Sequence, residues 1–382
     1  MENFFASCPR GLEAVLASEL VALDAQQVSA VDGGCAFSGD IALCYAANLE
    51  SRVASRILWR VGHAQYRTEQ DIFAAARGLP WSTWFDVRRS IRVNVSALRS
   101  PVTSLDFVTL RIKDAVCDAF RAGRNARPDV DTANPDVRIH AFLTRDETTF
   151  YLDTSGEALF KRGWRAAGGE APLRENLAAG ILRLCGWQPG SALFDPMCGS
   201  GTFLVEAAMI ALDVAPGLAR PFAFEKLENF DAGQWRTLRE RAKARRQPAH
   251  PLPIHGSDKF GGVLNLAREN LEAAGLEDAV PLKQADVLES SPPASSGIAI
   301  MNPPYGERLA SPEELSRFYP KLGDALKQRY TGWTAYILSA DMRLPRLIGL
   351  KASRRTPLYN GALECRLFEF KVIAGSMRKK AG

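Results

Sequence analysis

The 382-residue sequence has only four histidines, and none of its seven cysteines (Cys8, Cys35, Cys44, Cys117, Cys185, Cys198 and Cys365) belongs to a C-x-x-C pair. Such scatter builds neither a zinc-ligand cluster nor a disulfide framework, so no metal is expected. No apolar run approaches the roughly 18 residues of a membrane span, and no membrane partner is expected. The start, Met1-Glu2-Asn3, has neither a basic n-region nor an apolar h-region, so a secretory leader is not expected and a cytoplasmic location is. An excess of one charge is also lacking. The 48 Lys/Arg against 43 Asp/Glu leave a formal +5, too mild for a histone-like tail or an acidic disordered chain. What is present is 46% hydrophobic residues, enough for two or three domains with full cores.

Period divides the chain. Over residues 1–60, Leu12, Val15, Leu16, Leu20 and Leu23 recur at helical spacing, Gly33-Gly34 makes a turn, and a second helix runs through Tyr45, Leu49 and Val53. Over 61–160, Ile91, Val93, Val95 and Ala97 alternate as a strand. A helix follows through Leu105, Val108, Ile112, Val116 and Phe120, and Val137, Ile139, Ala141 and Leu143 alternate again. Both stretches read as α+β. Residues 161–190 form a linker and helix, and 191–382 repeat strand-then-helix units at 192–194, 254–257, 298–301 and 334–338. That alternation predicts an α/β, doubly wound, mostly parallel sheet, and Asn360-Gly361 predicts a terminal antiparallel hairpin with a strand over 363–372.

Chemistry concentrates at strand ends of this last region. The strand ending at Asp195 leads through Pro196, Met197, Cys198, Gly199, Ser200 and Gly201 into a helix at Thr202. A glycine-rich turn there lets backbone N–H groups approach a ligand and aims a helix N-terminus at it, though such a turn also serves simply to reverse a chain. The pattern is neither G-x-G-x-x-G nor a P-loop. Asp258 ends the next strand, where a carboxylate can accept from ribose hydroxyls, and Asp286 ends the one after, within reach of an adenine amine. Each taken alone reads first as a surface acid or a helix cap. Ligands of doubly wound sheets lie outside the strands' carboxyl ends, so the succession of three polar ends is the signal.

The most specific element is Asn302-Pro303-Pro304-Tyr305-Gly306-Glu307-Arg308 at the fourth strand end. Two prolines fix the backbone and remove two donors. An amino group on an sp² carbon is a poor nucleophile because its lone pair is delocalised. The Asn302 side-chain oxygen and the Pro303 carbonyl, accepting from that NH₂, would orient it and favour the charge it gains, while Tyr305 stacks on the planar target. Cys198 is better read as a small packed side chain than as a nucleophile, and His140, His250 and His255 need no chemistry.

These two motifs resemble the class I S-adenosylmethionine-dependent methyltransferases that act on exocyclic amines, and more narrowly the THUMP-carrying guanine-N2 methyltransferases of 23S ribosomal RNA. Phe4-Phe5-Ala6-Ser7-Cys8-Pro9-Arg10-Gly11, Lys161-Arg162-Gly163-Trp164-Arg165 and Ala171-Pro172-Leu173-Arg174-Glu175-Asn176 are similar to that family's as well. The resemblance implies a ferredoxin-like region, a THUMP RNA-binding domain and a Rossmann-like methyltransferase domain. It implies S-adenosylmethionine as cofactor, bound by the turn Asp195, Pro196, Cys198, Gly199, Ser200, Gly201 and Thr202, with its methionine end on Asp195 and Gly199 to Gly201, its ribose on Asp258 and its adenine on Asp286. Pro172, Leu173 and Arg174 match a segment that lies against the methionine moiety in related enzymes. Asn302, Pro303, Pro304 and Tyr305 would hold the target base. Each motif occurs once, so a monofunctional form is expected. Asp195 and Asp258 are 63 residues apart, against roughly 20 in a simple dinucleotide fold, so an insertion is expected between Ala208 and His250.

From Asp86 to Arg127, nine Lys/Arg, among them Arg88, Arg89, Arg92, Arg99, Arg111, Arg121 and Arg124, face four acids. From Arg220 to Arg246, eight face four, with Trp235 among them. Arginines with an aromatic suit phosphate contacts and stacking on unpaired bases, although a solvated helix face looks the same in sequence. The partner that the resemblance implies is 23S ribosomal RNA or the assembling large subunit. Guanine-N2 methylation of transfer RNA, adenine-N6 or glutamine-amide methylation, and a non-catalytic assembly factor remain alternatives.

Overall fold

Alternation written in the sequence becomes alternation in burial. Val137, Ile139, Ala141 and Leu143 are buried while Arg138, His140 and Phe142 between them are only partly so, the two-residue repeat of a strand with one face on a core. The structure, a computed structural model, describes residues 1–165, 173–303 and 312–373. In chain order its first elements are β1 (Glu2–Ser7), α1 (Glu13–Ala22), β2 (Gln26–Val31), β3 (Gly34–Gly39), α2 (Ile41–Glu50), β4 (Arg56–Gln65), α3 (Glu69–Arg77), β5 (Ile91–Ala97), α4 (Leu105–Arg124), β6 (Val137–Leu143) and β7 (Glu147–Asp153). There follow α5 (Glu175–Leu184), β8 (Leu193–Asp195), α6 (Thr202–Ala211), α7 (Ala232–Arg245), β9 (Ile254–Asp258), α8 (Gly261–Ala273), β10 (Leu282–Gln284) and β11 (Gly297–Met301). The last are α9 (Pro312–Arg329), β12 (Trp333–Ser339), α10 (Leu344–Leu347), β13 (Arg354–Asn360) and β14 (Leu363–Lys371).

The chain divides into two units. The first takes Met1–Cys8, Leu16–Leu159 and Gly217–Arg241, the second Pro9–Val15, Phe160–Pro216 and the described chain from Ala242 onward. Strands of the first unit form one seven-stranded sheet in the order β2-β3-β1-β4-β7-β6-β5, with only β5 and β6 parallel. Residue 60, expected as a boundary, falls inside β4, which pairs with β1 on one side and β7 on the other. The two α+β stretches therefore share a sheet, because nothing at residue 60 signals a turn. Helix α4 lays Val108, Ile112, Val116 and Phe120, at most 1% exposed, into this unit's core. The Ser104 hydroxyl caps its start, accepting from the Phe107 N–H at 3.2 Å, and Asn125 at φ 51° ends it in the left-handed region.

The expected insertion is present, and its Gly217–Arg241 portion belongs to the first unit. Tyr45 anchors it. Its ring lies 4.5 Å from Phe224 and edge-on to Trp235, and its hydroxyl accepts from the Asp231 N–H at 3.0 Å. Trp235 is 5% exposed, so the expectation that it stacks on RNA bases is corrected: the apolar rings of Phe222, Phe224 and Phe230 gain more by burial with it than by exposure. Arg220 donates to the carbonyls of Ala158 and Glu157 and lies over Phe222, so it too is used within the unit.

In the second unit the sheet runs β10-β9-β8-β11-β12-β14-β13, parallel from β10 to β12 and antiparallel at β14 and β13. Phe194, Ala299, Met301, Tyr319, Leu322, Trp333 and Phe368 form its core against α9. The terminal hairpin turns one residue later than the Asn-Gly pair suggests. Asn360 still pairs with Leu363, and Gly361, at φ 67°, is the first loop residue. From β8 the chain winds outward to β9 and β10, then returns to place β11 on the other side of β8. The reversal opens a crevice beyond the ends of β8 and β11.

Candidate active site

Two residues stand at that crevice. Asp195 closes β8 and Asn302 follows β11, whose Ala299 pairs with Phe194. Asp195 is 1% exposed, and its Oδ1 accepts from the Met197 N–H at 3.1 Å. Burial drives its pKa well above the usual carboxylate range, the Met197 N–H opposes that, and the Asp258 charge adds to it. Among the described residues no cation pairs with it. Asn302 presents a buried Oδ1 with no hydrogen-bond partner among the described residues, an unusual state for a buried acceptor. Pro303 is buried beside it, while Pro304 and Tyr305 lie outside the described residues.

The turn between β8 and α6 is held open from below. Gly199 at φ 54° and Gly201 at φ 79° adopt a backbone that other residues enter only with strain. A Cβ on Gly201 would stand 3.2 Å from the Ala267 Cβ, whereas on Gly199 it would meet nothing within 4 Å and would project into free space. The Cys198 N–H donates to the Ser257 carbonyl at 2.9 Å, the Gly199 N–H to Asp258 Oδ2 at 3.0 Å, and Asn270 Nδ2 to the Ser200 carbonyl at 2.9 Å. Pro196 and Thr202 are buried. The Cys198 thiol is buried too, and burial followed by the Asp195 and Asp258 charges pushes its pKa up, away from nucleophilic use.

Asp258 is a brace as much as an open acceptor. Its Oδ2 takes the Gly199 N–H and its Oδ1 the Phe260 N–H at 3.0 Å, leaving further lone pairs on both oxygens. Asp286 accepts from Lys259 Nζ at 2.9 Å and from the Leu288 N–H at 3.0 Å. Burial raises its pKa, but these two partners outweigh that and hold it below the ordinary value. Phe260, 65% exposed after β9, is a large apolar side chain that period and spacing did not single out. Leu173 is buried, Arg174 precedes α5 with its guanidinium over Phe160, and Pro172 lies outside the described residues.

Two ion pairs, largely shielded from solvent, tie the connector to α6 and α5, and neither was read from the sequence. Arg162 Nε reaches Glu206 Oε1 on α6 at 3.2 Å, and Arg165 Nε reaches Glu175 Oε1 on α5 at 2.7 Å. Their signal was present as charged residues in the Lys161–Arg165 run, but burial of a charge has no period. In the first unit Arg88, Arg89, Arg92 and Arg99 lie on or beside the edge strand β5, and Arg111, Arg121 and Arg124 on α4. Arg88 and Arg99 are exposed. Arg92 donates to the Thr132 carbonyl, Arg111 lies 4.1 Å from the Phe73 ring centroid, and Arg121 pairs with Asp118. Among the described residues no His/Cys/Asp/Glu group could hold a metal, and no helix is long and apolar enough to cross a membrane.

Comparison with known proteins matches residues 162–369 to an RMKL-like methyltransferase domain, 66–153 to a THUMP domain and 3–58 to an RlmL ferredoxin-like domain. The ribosomal RNA large subunit methyltransferase K/L of Syntrophotalea carbinolica is 40% identical over 97% of this chain and 53% of its own. The chain thus spans about half the length of the K/L relatives it matches. A Synechocystis protein, slr0064, classed among RNA methyltransferases, is 37% identical over 97% of this chain and 96% of its own. SMU.472, classed as a methyltransferase and crystallised with SAH, superposes with a TM-score of 0.89 at 32% identity, covering 98% of this chain and 99% of that one.

Proposed function

Because the chain belongs to the RMKL-like methyltransferases, with THUMP and RlmL ferredoxin-like domains ahead of the catalytic one, we propose that it methylates the exocyclic N2 amine of a guanine in 23S ribosomal RNA. S-adenosylmethionine is the donor, and the setting is the assembling large subunit in the cytoplasm. The observation that carries the chemistry is the unpartnered buried Oδ1 of Asn302, just past the end of β11, with the buried, cation-free carboxylate of Asp195 closing the neighbouring strand β8.

The residues fit the donor. Asp195 lacks a cation and an amino acid's ammonium supplies one. The open side of Gly199 admits a ligand against the turn, and the spare lone pairs of Asp258 suit ribose hydroxyls. Phe260 offers an apolar face near the strand end that carries Asp258. When bound, S-adenosylmethionine supplies a methyl group activated by a sulfonium. Asn302 Oδ1 and the Pro303 carbonyl accept from the guanine NH₂, aim its lone pair and favour the positive charge it gains during attack. A guanine inside a duplex cannot reach a buried donor, so it is flipped out, and Tyr305 stacks on it. Arginines on and around β5 and α4 contact phosphate, which makes RNA affinity fall with salt.

The Asp195 assignment has a measurable sign. A carboxyl whose folded pKa is raised loses folded-state stability as pH climbs from its unfolded value to the raised one. Asp195→Asn is therefore expected to raise the Tm of the ligand-free protein at neutral pH while weakening S-adenosylhomocysteine by about 10–100-fold. Wild-type affinity should fall as pH drops below the raised pKa, since only the ionised carboxylate holds the ammonium, and the variant's profile should be flat. Calorimetry across pH checks both, and a pH-independent wild type would remove the ammonium from Asp195. For the substrate, methyl label from S-adenosylmethionine should enter deproteinised 23S ribosomal RNA. Label confined to transfer RNA or to adenosine would refute the guanine assignment in ribosomal RNA.

A further inference from the structure

Arg165 meets more polar atoms than a side chain holding one loop needs. A guanidinium has five N–H donors in a planar fork. Nε donates to Glu175 Oε1 at 2.7 Å, and Nη2 donates to Thr202 Oγ1 at 3.0 Å and to the Leu173 carbonyl at 3.3 Å. Nη1 donates to Ser200 Oγ at 3.4 Å. Four donors are thus placed, and one Nη1 hydrogen is left among the described residues. The group is fixed in space: its side chain is 17% exposed, Glu175 beneath it 6%, and its Cζ lies 5.1 Å from the centroid of the Trp164 ring. It stands against Ser200 and Thr202, which flank Gly201 in the turn whose Gly199 side is open.

We propose that Arg165 binds the α-carboxylate of the methyl donor's amino-acid end through its remaining Nη1 hydrogen, with Glu175 holding the guanidinium in the orientation that offers it. This rests on the donor reading above. The amino-acid end is a zwitterion, and the turn carries a group for each sign: the cation-free Asp195 for the ammonium and the fork of Arg165 for the carboxylate. Glu175 already occupies Nε, so the ligand meets the guanidinium through Nη1, the nitrogen with a hydrogen to spare. A lysine offers a point charge with no fork and reproduces only part of this.

Calorimetry with two probes tests it: S-adenosylhomocysteine, and its decarboxylated analogue, which keeps the ammonium, ribose and adenine. Wild type should prefer the intact ligand. Arg165→Gln should weaken S-adenosylhomocysteine by about 10–100-fold and leave the decarboxylated analogue within about two-fold, abolishing the preference. Arg165→Lys should restore part of it, and this variant carries the test if Arg165→Gln does not fold. Equal weakening of both ligands would mean that Arg165 only braces the turn, and undiminished affinity that it does nothing there; either overturns the assignment. Wild type binding neither ligand would instead overturn the donor reading itself, and this inference with it.

Discussion

Replacing Asn302 with alanine is expected to slow methyl transfer by about 10³-fold while leaving S-adenosylhomocysteine affinity within about two-fold. The magnitude follows from what is removed. An aryl amine reacts only when its lone pair is turned out of conjugation and its developing charge is met by preorganised acceptors. The Asn302 amide oxygen is such an acceptor, already desolvated and without a competing partner among the described residues. In the proposed role its contact is with the target base rather than the donor, so single-turnover rates should fall while donor binding does not. Asn302→Asp keeps an acceptor at the same place but buries a charge, and intermediate activity is expected. Wild-type single-turnover rates in Asn302→Ala would remove the residue from the mechanism and leave the acceptor role to the Pro303 carbonyl.

Arg162→Ala is expected to cost about 3–5 kcal/mol of stability, although it is remote from the reacting atoms. Both side chains of the Arg162–Glu206 pair are at most 1% exposed, and Glu206 Oε2 has no partner among the described residues, so removing the arginine strands a charge in the core. Urea unfolding reads the loss. The pair Arg162→Met with Glu206→Leu, of similar volume and without charge, should return most of it, because two desolvated ions are replaced by packed apolar atoms. Glu206 lies on α6, the helix opened by the glycine-rich turn, so the single variant should also weaken S-adenosylhomocysteine. A loss of less than about 1 kcal/mol, the range of an exposed pair, would contradict the burial on which this rests.

Legibility tracked periodicity. The strands over 91–97 and 137–143 and the helix carrying Leu105 to Phe120 stood out because a half-buried element repeats its apolar side at a fixed interval, and β5, β6 and α4 occupy those positions. The doubly wound sheet and the polar strand ends at Asp195 and Asn302 were legible for the same reason, since short apolar runs ending in acids or amides recur once per strand-helix unit. Pairing between distant segments was not legible. Nothing in Arg56–Gln65 announces that one strand joins two α+β stretches, and nothing in Trp235 distinguishes a ring bound for RNA from one that packs on Tyr45. Buried ion pairs were hidden more deeply, because Arg162 and Arg165 look like any basic connector until their carboxylates arrive from elsewhere in the fold. Asp258 shows a mixed case: its place at a strand end was read correctly, but its use as a brace for the Gly199 N–H depends on a turn 59 residues away.

The most direct test of guanine-N2 methylation is nucleoside mass spectrometry of 23S ribosomal RNA from the source organism with this gene deleted, then complemented with wild type or with Asn302→Ala. N2-methylguanosine should fall by one residue per 23S molecule on deletion, return with wild type and stay absent with the variant. An unchanged N2-methylguanosine content in 23S ribosomal RNA, with the loss appearing in transfer RNA or in methyladenosine, would contradict the assignment.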